Sequence, residues 1–180
     1  LPPHLKNPDA PPRARESWGR SLRGMAELFT LPHTWGILVL GMSCYAAFLS
    51  LRGLWLGPLL MNRFGFSLVD SGNVALVLSL ISLFAPGIFG RLDPGPLRRR
   101  AWIANASLLM AAMFAVMAVL QHAGATVALM IALGMLWGYS VLQYTDVRSS
   151  YPGALTGRAL SLYTMAMFLG VGLMQSATGT

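Results

Sequence analysis

Five long runs of apolar residues set the pattern of this chain. They cover approximately residues 34–61, 71–90, 101–121, 125–145 and 159–179, and Arg52 is the only Asp, Glu, Lys or Arg within them. About 20 apolar residues are enough to cross a hydrocarbon core of roughly 30 Å. The runs are too long for barrel strands and lack their polar–apolar alternation, so helices are the remaining way to satisfy the backbone in lipid. We therefore predict an all-α integral membrane protein, a polytopic helical bundle with five transmembrane helices.

The composition agrees with this pattern. Hydrophobic residues make up 55% of the 180 residues and charged residues only 11%, against about 25% in an ordinary soluble domain. Such a chain has too little polar surface to coat a soluble globule, and it is too hydrophobic for disorder over most of its length. Cys44 is the single cysteine, and His4, His33 and His122 share no spacing with any carboxylate. We therefore expect no disulfide framework, no metal site and no cofactor.

The first 33 residues differ from the rest. We interpret 1–33 as a cytoplasmic linker with an interfacial helix, and 34–180 as the transmembrane bundle. The helix is predicted for residues 17–29, where apolar residues at positions 18, 22, 25 and 29 form one face. The chain begins with Leu rather than Met and ends directly after an apolar run, so we expect it to be part of a longer protein.

The basic residues predict an orientation. Eleven of the 13 Lys and Arg residues lie in the amino-terminal segment or in the second and fourth connections between spans, and only Arg63 lies on the opposite side. By the positive-inside rule the side with eleven is cytoplasmic, which makes the amino-terminal end cytoplasmic. These residues are split among loops next to spans, so we expect contact with the lipid bilayer and no nucleic-acid binding.

Three segments carry a family resemblance. They are RGLWLGPLL at 52–60, GRLDPGPLRRR at 90–100 and YPGALTGRAL at 151–160. In their order and sidedness they resemble the carboxy-terminal half of a major facilitator superfamily (MFS) transporter, with the five spans matching helices seven to eleven. Gln usually stands in that family where this chain has Arg52, and Pro94 replaces the basic residue that usually follows Asp93.

The resemblance implies a function and a cellular place. It implies secondary active or facilitative transport of a small solute by alternating access, in a bacterial-type inner membrane, and no enzymatic activity. The missing amino-terminal half and helix twelve of the same protein are then the partners of this MFS-like half. In this family helix nine faces lipid, and the span 101–121 is the least polar of the five, whereas the fourth and fifth spans carry more polar side chains.

Arg52 is the most informative candidate, because a charge within a span is costly and points to function. Tyr45 lies seven residues earlier on the same helical face. Together they would suit an anionic solute. The alternatives are that Arg52 snorkels to the interface or makes a structural hydrogen bond.

Two further sets of residues are weaker candidates. Side chains that share faces of the fourth and fifth spans could line a translocation path or simply pack between helices; they are Trp137, Ser140, Tyr144, Ser161, Thr164 and Gln175. The resemblance also suggests a cytoplasmic gate latch, with a solvated loop as the alternative; its candidates are Asp93, Asp146, Arg148 and Arg158.

Two other functions remain open on the sequence. One is a non-transporting helical subunit, or a truncated remnant, that packs against a partner. The other is a membrane enzyme, for which Asp93 and Asp146 are the only conceivable catalytic pair. The length of the native product separates the first from a permease, which needs about twelve spans.

Overall fold

The computed structural model of the protein describes the backbone of residues 18–179 and the side chains of residues 24–179. Most of the predicted linker, and the side chains at positions 18 and 22 of the predicted interfacial face, lie outside the described residues. The described part contains one short helix followed by five long ones. We number them α1 (Trp18–Phe29), α2 (Pro32–Arg63), α3 (Leu68–Arg91), α4 (Pro96–Val119), α5 (Ala123–Ser150) and α6 (Gly153–Thr178).

The five long helices confirm the predicted fold class. They contain 24 to 32 residues each, and all five are long and apolar enough to cross a membrane. Even the shortest extends about 36 Å at 1.5 Å per residue, more than the hydrocarbon thickness. No strand occurs among residues 18–179.

Each long helix begins before the apolar run that predicts it, whereas α4 and α6 end one or two residues before their runs do. α3 begins at a Ser67 cap, whose Oγ accepts from the Asp70 backbone N–H at 3.0 Å. α4 begins with Pro96, which suits a first helical turn. At its far end α5 continues to Ser150 and so includes Asp146, which the sequence placed in a loop.

Two pairs of helices approach each other closely at interfaces that contain glycine, which has no side chain to keep the backbones apart. α2 packs against α6, where a Cβ on Gly170 would collide with the Met42 backbone carbonyl. α3 packs against α5, where a Cβ on Gly138 would lie 2.5 Å from the Ala85 carbonyl carbon. Gly134 meets Leu78 one turn away in the same interface. These contacts bring backbones together, as expected for small residues in membrane helices.

α4 lies at the side of the bundle. It packs chiefly against α5, and it leaves Leu108, Leu109 and Val119 exposed. An exposed apolar surface of this kind suits contact with lipid chains, in agreement with the bland sequence of this span.

The short helix α1 packs against the start of α6. Its fully buried residue is Leu28, within a cluster that includes Val147, Tyr151 and Tyr163. Phe29, part of the predicted apolar face, is instead 40% exposed. Met25, another residue of the predicted face, packs against the same cluster, so among the described side chains α1 contacts the bundle through Leu28 and Met25.

Two helices depart from regular α geometry. α2 widens into π-helical turns at Leu51–Trp55 and Leu59–Arg63, on either side of Pro58. α5 tightens into a 3₁₀ turn at Trp137–Tyr139. Such irregular turns are frequent at functional sites, and Arg52 and Trp137 each lie within one of them.

Candidate functional site

An open cavity of about 400 Å³ lies between α2, α3 and α5. Its lining combines one charged side chain, two serine hydroxyls, one indole ring and two leucines. These residues are Arg52, Ser79, Ser82, Trp137, Leu80 and Leu83. The cavity is small, within the 300–1,000 Å³ range typical of small-molecule sites.

Arg52 borders this cavity from the first π-helical turn of α2. Its Nη2 donates to the Ser79 Oγ at 3.0 Å, and that hydroxyl in turn donates to the Ala75 carbonyl oxygen at 2.6 Å. The residue is exposed, and a guanidinium has five N–H donors. After the bond to Ser79, Arg52 keeps donors for an acceptor that enters the cavity. No carboxylate is among the described lining residues.

An aromatic cluster continues the wall next to Arg52. Trp137, held in the 3₁₀ turn of α5, stacks on Phe48 with ring centroids 4.7 Å apart and planes 6° from parallel. The Tyr45 ring lies 5.4 Å from Trp137 and 5.6 Å from Phe168, which belongs to α6. Three helices thus contribute rings to one packed cluster, at spacings favourable for aromatic pairs, and Trp137 is its member that lines the cavity.

The structure brings together Tyr45, Arg52 and Trp137, whereas three of the other path candidates lie away from the cavity. Ser140 is buried in α5, and Ser161 and Thr164 lie on α6; none of the three lines the cavity in the described part of the chain. The two α6 hydroxyls donate to carbonyl oxygens of their own helix, at 3.0 and 2.9 Å.

Tyr144 and Gln175 flank the aromatic cluster. The Tyr144 hydroxyl donates to the Met167 Sδ at 3.4 Å, and its ring meets Tyr163 edge-on at 5.1 Å. Gln175 is half-buried, and its Nε2 lies 4.0 Å from where a Cβ on Gly53 would be. Gln175 is therefore on the side of α6 that faces the Arg52 turn.

Sequence reasoning missed the two serines of α3. Ser79 and Ser82 are three residues apart in an otherwise apolar run, and this spacing puts them on one face of a helix. The Ser82 Oγ donates to the Leu78 carbonyl oxygen at 2.7 Å. That spacing is the signal that would have found them.

A second polar cluster lies at the end of the bundle where α3 connects to α4. Arg99 binds Asp93 through two nitrogens, with Nη2 2.7 Å from Oδ2, and its Nη1 donates to the Ser149 Oγ at 3.1 Å. The Arg99 side chain is only 7% exposed. Hydrogen bonds from Arg99 lower the pKa of the Asp93 carboxyl below its ordinary value, and the Gly95 backbone N–H adds to the effect.

A neighbouring ion pair joins the same helices. The Arg100 Nε lies 3.3 Å from the Asp146 Oδ1, and Nη2 donates to the Ser150 Oγ at 2.9 Å. Two consecutive arginines of α4 therefore both reach the last turns of α5. Of the other latch candidates, Arg148 is exposed and Arg158 contacts Gly24 of α1.

The described residues contain no group of three His, Cys, Asp or Glu side chains that could hold a metal ion.

Comparison with known proteins identifies the family. A family model described as Major Facilitator Superfamily matches residues 2–174. The chain belongs to this superfamily. Its members are transporters that carry small solutes through the lipid bilayer, so this is a multi-pass membrane protein of the transporter class. Members of this superfamily are not enzymes, which agrees at the family level with the expectation from the sequence. Searches of curated proteins and of solved structures gave no match.

Proposed function

We propose that this protein carries a small anionic solute by alternating access, as a secondary active or facilitative transporter. The observation that carries the proposal is Arg52, a charged side chain within a spanning helix that borders a 400 Å³ cavity. A charge at such a position is costly, and its partner in the described part of the chain is a neutral hydroxyl. An anionic solute would supply the missing opposite charge.

We further propose that the five long helices are helices seven to eleven of the family, as the three motifs suggest. In this assignment α4 is helix nine, and its position at the side of the bundle supports the correspondence. The aromatic and polar faces of α2, α5 and α6 then face the second half of the transporter across the solute path.

The Asp93–Arg99 and Arg100–Asp146 pairs are proposed to lie on the cytoplasmic side, as part of a gate latch. The first pair ties the α3–α4 connection to α4, whose Arg99 also donates to Ser149 of α5, and the second pair joins α4 to α5 directly. The run of arginines here supports a cytoplasmic position by the positive-inside rule, with the amino-terminal end on the same side. We propose a bacterial-type inner membrane as the location.

The test is transport by the product of the native gene, purified and reconstituted in sealed liposomes. Uptake is measured for a panel of small organic anions and for neutral compounds of similar size. We expect uptake of at least one anion. Arg52→Gln should then reduce it by about 10- to 100-fold, since hydrogen bonds to charged groups contribute about 1.5–3 kcal/mol. Arg52→Lys should retain part of it, because Lys keeps the charge but not the planar fork.

Arg63→Gln is the matched control. Arg63 ends the same helix, where it donates to the Ala118 carbonyl oxygen at 3.3 Å away from the cavity. We expect the Arg63→Gln variant to take up the anion at the wild-type rate. Unchanged uptake with Arg52→Gln would remove Arg52 from the site. Failure of the native product to transport any solute would favour the other function, a helical subunit that packs against a partner.

A further inference from the structure

We propose that the solute of the Arg52 cavity is an aromatic carboxylate, a planar ring with a carboxylate attached directly or through a short link. This inference rests on the proposed function and narrows it from anions in general to one chemical class. It combines two neighbouring features: the Arg52 guanidinium, which lines the cavity together with Trp137, and the aromatic cluster that Trp137 forms with Tyr45, Phe48 and Phe168.

The Arg52 guanidinium is the group that would bind the carboxylate of the solute. Its planar fork matches the two oxygens of a carboxylate, and such paired hydrogen bonds are among the strongest in proteins. The Ser79 bond holds one edge of Arg52 against α3, so the group is already oriented before a solute enters. No carboxylate among the described lining residues competes for it.

The aromatic cluster is the feature that would contact the ring of the solute. Trp137 lines the same cavity as Arg52, and its stacking on Phe48 fixes its plane. Tyr45 packs on both Trp137 and Phe168 with tilted or edge-on geometry. A further ring could join this arrangement through an offset or edge-on contact, which adds to the simple burial of apolar surface.

The remaining lining argues against polyhydroxylated solutes. Ser79 and Ser82 both donate their hydroxyl protons to carbonyl oxygens of their own helix, at 2.6 and 2.7 Å, and Leu80 and Leu83 complete the wall. The hydroxyls therefore offer acceptors only, whereas a sugar-like solute needs many donors and acceptors. The small volume favours one ring over a peptide or a polymer.

Equilibrium binding to the native gene product in lipid nanodiscs at pH 7.5 tests the inference. The probes are benzoate, cyclohexanecarboxylate, benzamide and benzylamine, which separate the ring from the charge. We expect benzoate to bind about 2- to 10-fold more tightly than cyclohexanecarboxylate, as aromatic pairing implies. Benzamide and benzylamine should bind at least tenfold more weakly than benzoate, since neither has the carboxylate.

Variants separate the two features. Arg52→Gln should abolish saturable binding of both acids. Trp137→Leu should bring the two acids to equal affinity, whereas Trp102→Leu, on the exposed surface of α4, should leave the preference for benzoate intact. Trp137 also packs on Phe48, so its variant can fail to fold; the comparison of four probes on the wild-type protein decides the question without it.

The binding results test the aromatic preference, the role of the carboxylate and the proposed function separately. Equal affinity for benzoate and cyclohexanecarboxylate overturns the aromatic preference, and equal affinity for benzamide overturns the role of the carboxylate. In either case the transport of another anion would leave the proposed function standing. Benzoate binding that Arg52→Gln abolishes, in a protein that transports no solute, would keep the ligand class and overturn the proposed function.

Discussion

The contact between α2 and α6 gives a sharp prediction about packing, through two glycines of the same helix. A Cβ on Gly170 would lie 2.6 Å from the Met42 Cγ and 2.9 Å from its carbonyl carbon, and it would collide with the carbonyl oxygen. Nothing lies within 4 Å of a Cβ on Gly172, two residues further along. Carbon atoms prefer a separation of about 3.5–4.0 Å, so Gly170→Ala needs the helices to move apart by roughly 1 Å.

The expected cost follows from that displacement. A gap of this size forfeits a quarter to a half of the contact energy along the interface, and overpacking of this kind typically costs about 1–3 kcal/mol. Gly172→Ala should be neutral or stabilising by about 0.5–1 kcal/mol, because alanine loses less backbone entropy in a helix. Both stability changes can be measured as differences from wild type in the free energy of unfolding by sodium dodecyl sulfate in mixed micelles. Equal stability of the two variants would refute the close α2–α6 packing.

Two further predictions concern polar contacts. Because the folded state lowers the pKa of Asp93, the Asp93–Arg99 contact should stabilise the protein above the ordinary carboxyl pKa and lose its effect as pH falls through the lowered value. Unfolding followed between pH 6 and pH 3 should therefore show a smaller acid destabilisation in Asp93→Asn than in wild type; identical pH profiles would contradict this. Tyr163→Phe removes the hydroxyl that donates to the Gln143 Oε1 at 2.7 Å, in a buried pair, and should cost about 1–3 kcal/mol of unfolding free energy. Adding Gln143→Leu should restore part of this loss, and a further loss would argue against the assigned bond.

The helices could be predicted from the sequence because hydropathy reports which segments cross the membrane. The apolar runs located all five helices, although each helix is longer than its run. Helical periodicity also predicts one face of α2 for Tyr45 and Arg52, and in the structure Tyr45 packs on Trp137 while Arg52 lines a cavity with Trp137. Hydropathy and helical periodicity can each be read from a single segment, without knowledge of the helices that pack against it.

The contacts between segments were harder to predict. The sequence does not reveal that Ser79 meets Arg52, because this depends on how two helices are set against each other. For the same reason the run of arginines could be interpreted as a topological signal, but the sequence does not reveal that Arg99 and Arg100 also pair with Asp93 and Asp146. Ser161 is a path candidate on the sequence because it shares a helical face with Thr164 and Gln175, but periodicity does not reveal that its hydroxyl donates to the Gly157 carbonyl oxygen one turn earlier.

Alternating access requires that the cavity beside Arg52 opens to each side of the membrane in turn. The direct measurement is labelling of Ser79→Cys, in a Cys44→Ala background, by a membrane-impermeant thiol reagent in sealed vesicles of either orientation. Leu108→Cys, on the exposed apolar surface of α4, is the control that lipid should protect. We predict that Ser79→Cys is labelled from both sides while Leu108→Cys is not. Labelling from one side only would contradict alternating access at this cavity.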